Sequence, residues 1–167
     1  MRNSEFSHTA MTGLFVASSS EVLVERNVFT DIGYHGLLQL GGYDYQNISI
    51  SNNYFDGSGI TRSWSTSGIF SQGSRNVLIS NNEVARTLGN GIMIKSESLS
   101  KNYWTEQGNT DWVVNVEFNN VHDFGVGVTS DFGGIKTGST TYCDAETEAG
   151  LEQKCYTYIR LFNNILR

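Results

Sequence analysis

The 167-residue sequence predicts an all-β fold, a solenoid of about five stacked coils, and three observations carry that expectation. One short template recurs five times. Its anchors are spaced by the length of one coil, or of one coil plus an insertion. The composition, with 18 Gly, no Pro and many Asn, suits strands joined by tight turns and disfavours helices.

The template places two apolar residues five and three positions before an Asn, and a third two positions after it. It occurs around Asn27, Asn53, Asn82, Asn119 and Asn164, spaced by 26, 29, 37 and 45 residues. The apolar pairs are Val22 and Val24, Ile48 and Ile50, Val77 and Ile79, Val114 and Val116, and Ile159 and Leu161. The trailing positions are Phe29, Phe55, Val84, Val121 and Leu166. Alternation with period two is the pattern of a strand with one face inside. Asn119 is preferred to Asn120 as the fourth anchor because it keeps the apolar phase and aligns Asp31-Ile-Gly33 with Asp123-Phe-Gly125.

Taken in order, Ser7 to Val16 reads as the tail of a preceding coil. Each template copy should then be followed, after a Gly turn, by a second short strand. These are Gly36–Leu40, Gly68–Ser71, Gly91–Ile94, and either Gly127–Thr129 or Gly134–Lys136. Two insertions interrupt the rhythm, at about 96–112 and 137–156. A lone strand pair is unstable, so coils must stack, which places the anchors above one another. Each side-chain amide can then donate to and accept from the next, which makes these Asn scaffold. The chain stops at Asn164-Ile-Leu-Arg167 within a template copy, and neither end resembles a cap, so an uncapped fragment of a longer chain, comprising a single domain over 1–167, is expected. The pattern resembles the right-handed parallel β-helix superfamily, the pectate-lyase-like solenoids, from about Glu21 to Arg167. That resemblance implies the right-handed winding.

The net charge of −6, without a basic stripe, argues against nucleic acid and anionic membranes as partners. No apolar run is long enough to cross a bilayer, and Met1 to Phe6 lacks the apolar centre of a signal peptide. Cys143 and Cys155 share one polar loop, where they are either a disulfide suited to a secreted protein or two free thiols. Without nearby His they do not make a zinc site, so no metal and no cofactor are expected.

The chemistry concentrates where the repeat is broken. Asp123, Asp131 and Lys136 share the fourth coil with His122 beside Asp123. Strand alternation would point His122 and Asp123 to opposite faces. Two carboxylates on one solenoid wall, roughly 5–10 Å apart, are what acid/base cleavage of a glycosidic bond requires. The stretch Val121-His-Asp-Phe-Gly-Val-Gly-Val-Thr-Ser-Asp-Phe-Gly-Gly-Ile135 resembles the His-Asp, Gly-x-Gly, Ser-Asp-x-Gly-Gly-Ile signature of β-helix glycoside hydrolases of the xylosidase, xylanase and fucosidase group. The resemblance implies Asp131 as a catalytic carboxylate with Asp123 close to it. The chain departs from it at Lys136, where the family carries an aromatic. Stacking should align Asp31, His35, Arg86 and Asp123 down one wall, with Asp56 near it, as a groove for several sugars. Trp104 is either a sugar platform or packs on the solenoid wall.

The expected function is therefore a secreted, carbohydrate-active protein that binds a polysaccharide or oligosaccharide, with hydrolysis as the leading chemistry. A lyase or uronate epimerase using Lys95, Lys136 or Arg160 as base is the enzymatic alternative, and a non-catalytic binding solenoid the other.

Overall fold

A computed structural model of the chain describes residues 1–41, 45–61, 66–96, 112–125, 133–139, 145–146, 152–153 and 157–167. The alternating segments form strands that climb in triplets. A first partial turn holds β1 (Glu5–Ser7) and β2 (Leu14–Ala17). The first full turn is β3 (Val22–Glu25), β4 (Val28–Ile32) and β5 (Leu37–Leu40), and the second is β6 (Gln46–Ser51), β7 (Tyr54–Ser58) and β8 (Ser67–Gln72). The third is β9 (Arg75–Ser80), β10 (Glu83–Ala85) and β11 (Asn90–Ser96), and the fourth β12 (Trp112–Glu117), β13 (Asn120–His122) and β14 (Ile135–Ser139). A short antiparallel pair, β15 (Ala145–Glu146) and β16 (Glu152–Gln153), precedes β17 (Thr157–Phe162) and β18 (Ile165–Leu166).

Three parallel sheets result, each taking one strand from every full turn. The first face is β3-β6-β9-β12-β17, the second β1-β4-β7-β10-β13-β18, and the third β2-β5-β8-β11-β14. Equivalent template residues pair from coil to coil, as in Val24, Ile50, Ile79, Val116 and Leu161. The stacked tower is the expected one, but each coil has three strands where the sequence suggested two. The segment after each anchor is a strand of its own, because the residue before the anchor turns the chain sharply. Arg26, Asn52, Asn81, Phe118 and Asn163 all have φ between 53° and 56°. The fourth coil takes the Gly134 alternative for its last strand, which runs to Ser139.

Three columns hold the tower. Inside, Val24, Phe29, Leu37, Ile50, Phe55, Ile69, Ile79 and Ile92 are at most 2% exposed. Phe6, Phe29 and Phe55 stack at 4.7 and 4.5 Å with rings 5° from parallel. Each such side chain contributes roughly 1.5–3 kcal/mol by burial. At the first corner the anchors form the expected amide ladder, in which Nδ2 of Asn27, Asn53, Asn82 and Asn119 each donates to Oδ1 of the next at 3.0 Å. The same oxygens accept the backbone N–H of the preceding anchor. At the entry to the third face Gly13, Gly36, Gly68, Gly91 and Gly134 form a column. A Cβ on any of the first four would lie 2.5–3.0 Å from the next glycine's carbonyl oxygen, so only glycine lets the coils approach.

Candidate functional site

The second face carries four of the predicted site residues, His122 on its last full strand and Asp31, Arg86 and Asp123 at its far edge. Its inward residues are the trailing apolar positions, so the residues flanking them point outward. One outward column is Val28, Tyr54, Glu83 and Asn120, and the next is Thr30, Asp56, Ala85 and His122. The residue after each of the latter, Asp31, Gly57, Arg86 and Asp123, forms a corner column in which all four have positive φ, from 48° to 71°. Asp31, Arg86 and Asp123 thus do lie at equivalent positions down one wall.

Two linked groups stand on that wall. Asp56 is 8% exposed, and its Oδ2 accepts the Tyr54 hydroxyl at 3.1 Å and pairs with the Arg86 guanidinium. Its Oδ1 is buried with no hydrogen-bond partner among the described residues. Partial burial and then the Asp56 carboxylate raise the Tyr54 phenol above its ordinary pKa. In the second group, His122 Nδ1 lies 2.9 Å from Asp123 Oδ2 and its Nε2 3.2 Å from Glu83 Oε1. Those two carboxylates, Asp123 before Glu83, raise the His122 pKa, which favours an imidazolium that donates through both nitrogens. Asp31 meets His8 at 3.4 Å one end further along.

Strand alternation does not separate His122 from Asp123. At φ 54° Asp123 has left the strand, so its side chain swings back beside the imidazole. Nor does His35 join the wall, although the sequence aligned it there. It is 3% exposed between the rings of Tyr34 and Phe70, and its Nδ1 accepts the Ser67 N–H at 3.1 Å. Burial lowers its pKa from 6.5 to about 4. Asn90 does the same work two coils on, accepting the Gly133 N–H at 3.1 Å, so His35 belongs to the scaffold.

Lys136 stands elsewhere too. It pairs with Met93, and Met93 with Phe70, on the outside of the third face. Lys95 is on that face as well, 5.6 Å from the Phe70 ring, whereas Arg160 sits in β17 of the first face. The three candidate bases of a lyase are therefore spread over two walls. Asp131, Trp104, Cys143 and Cys155 lie outside the described residues. Among the described residues no group of three or more His, Cys, Asp or Glu is arranged to hold a metal ion.

Tyr54 and Glu83 complete the wall and were not singled out from the sequence. Both occupy the position after the ladder Asn, and aligning that position across the template copies would have found them.

A family model described as a right-handed beta helix region matches residues 1–152. No curated protein and no solved structure matches the chain. With three stacked parallel sheets, a continuous asparagine ladder and a family match over most of its length, the chain belongs to the right-handed β-helix family.

Proposed function

We propose that the chain acts on carbohydrate, as the site-bearing part of a glycoside hydrolase with Asp123 and Asp131 as its carboxylate pair. The observation that supports this most is Asp123 itself, held on the solvent side of the second face against an imidazole that Glu83 braces from the other side. Solvent-facing and fixed in orientation by that imidazole, Asp123 is the group suited to attack the anomeric carbon or to activate a water.

Asp131, eight residues on, would supply the acid that protonates the leaving oxygen. Arg86 and Asp31, on the same wall, would hydrogen-bond sugar hydroxyls beyond the cleaved bond, and Trp104 would offer an indole face to a ring. The test is release of reducing ends from a panel of plant and algal polysaccharides. Release by the wild type, lost in Asp123→Asn and in Asp131→Asn, supports the reading. A product absorbing in the ultraviolet would instead assign an eliminating enzyme, and retention without any product a binding protein.

A further inference from the structure

The corner between the first and second faces carries a feature that the scaffold does not require. The left-handed residue before each ladder Asn projects its side chain outward, and Arg26, Asn52 and Asn81 are exposed in successive coils. Together with Val28, Tyr54 and Glu83 they line a trough of about 480 Å³.

Asparagine is favoured there because it tolerates φ near +55°. That preference accounts for the residue type and leaves its amide unaccounted for. At the opposite end of the first face, Asn47 and Asn76 are also left-handed, with φ 62° and 52°. Their amides are tied up, Asn76 donating to Asn47 at 3.2 Å and Asn47 to Glu21 at 2.6 Å. Those of Asn52 and Asn81 have no side-chain partner among the described residues. They are stacked one coil apart, about 4.8 Å, beside a tyrosine whose hydroxyl is pinned to Asp56.

We infer that this trough is a subsite for a neutral glycan lying along the tower, with the Asn52 and Asn81 amides on successive sugar hydroxyls and the Tyr54 ring against an apolar sugar face. The inference deepens the proposed carbohydrate function and rests on it. An amide both donates and accepts, as a hydroxyl does, and a ring held at its hydroxyl is already oriented for stacking. The charges around the trough are matched within the protein. Arg26 meets Glu25 at 3.4 Å, Arg86 meets Asp56, and Glu83 meets His122. Among the described residues around the trough no unmatched cation is left for a uronate carboxylate, so a neutral chain is selected over a polyuronate.

Affinity electrophoresis through gels containing soluble arabinoxylan, galactomannan or polygalacturonate tests this. A neutral polymer should retard the chain and polygalacturonate should not. The Asn52→Gly, Asn81→Gly double variant removes both amides while keeping a residue at ease with positive φ. It should retain its thermal midpoint and bind the neutral polymer about tenfold more weakly, two hydrogen bonds being lost. Asn47→Gly with Asn76→Gly should bind as the wild type does. Unchanged affinity in the trough variant, retardation by polygalacturonate alone, or retardation by none of the three overturns the inference. Asp123→Asn separates the two readings. Trough-dependent retention without hydrolysis by any form would leave the subsite standing and the hydrolase reading lost, whereas hydrolysis unaffected in rate or KM by the trough variant would do the reverse.

Discussion

Replacing Asn82 with Ala should cost this protein more than almost any other polar truncation, because Asn82 is a middle rung of the ladder and 1% exposed. Its Oδ1 accepts both the backbone N–H and the Nδ2 of Asn53 at 3.0 Å. Its Nδ2 donates to the Ile50 carbonyl at 2.9 Å and to Asn119 Oδ1 at 3.0 Å. Truncation removes all four hydrogen bonds and strands the Asn53 N–H in the interior. Asn53 Nδ2 keeps the Val24 carbonyl and Asn119 Oδ1 keeps the Asn82 N–H, so those groups are only partly deprived. One orphaned buried donor at about 1–3 kcal/mol and the three remaining bonds at about 1 kcal/mol each give a loss of about 4–6 kcal/mol. For a chain of this size that corresponds to a fall of roughly 8–24 °C in Tm. Urea unfolding followed by far-ultraviolet circular dichroism measures it directly. Asn164→Ala, at the last and only partly buried rung, should lose distinctly less. A loss below about 1 kcal/mol for Asn82→Ala, or equal losses at the two rungs, would refute the account in which buried amides bind coil to coil.

Two further outcomes follow from the scaffold. Gly91→Ala puts a methyl 2.5 Å from the Gly134 carbonyl oxygen and against Val121, where a backbone atom cannot yield easily, so a destabilisation of about 3 kcal/mol should appear as a lower urea midpoint. His35 is neutral in the fold and titrates at about 4 against 6.5 unfolded, so the unfolded chain binds more protons between those values and stability falls as pH drops from 6.5 toward 4. At 1.36 kcal/mol per unit this group alone accounts for up to about 3 kcal/mol. His35→Asn, which can still accept the Ser67 N–H as Asn90 accepts that of Gly133, should flatten urea midpoints across that window by a comparable amount. Parallel pH profiles for variant and wild type would contradict the assignment. His122 has the opposite sign. With its folded pKa raised, its contribution is complete below 6.5 and is lost as pH climbs through the folded value.

The repeat, the anchors and the inward columns could be read from the sequence because a stacked coil imposes the same demand at the same position each time. An apolar residue five places before an Asn, seen once, means little, and five copies leave few folds that satisfy all of them. The glycine column and the Asn119 anchor were legible for the same reason. Asp31, Arg86 and Asp123 were correctly aligned because alignment along the tower is a matter of counting residues.

What counting could not supply was the path of the chain around each coil. The left-handed residues at 26, 52, 81, 118 and 163 fold each template into two strands on two walls, and although Asn is favoured there, Arg26 and Phe118 hold the same left-handed φ, so residue type alone does not announce the corner. A second left-handed column at the next corner turns Asp123 back onto His122 and sends Arg86 to Asp56. Backbone dihedrals decide those pairings. The inside of the next corner likewise claimed His35, whose ring serves a backbone N–H that only the neighbouring coil presents. Sequence therefore determined which residues share a column along the tower, since stacking transmits position in the repeat. Only the tertiary structure decided which wall each side chain faces and which partner it meets, since that depends on φ at the corners and on contacts between coils 22 to 51 residues apart.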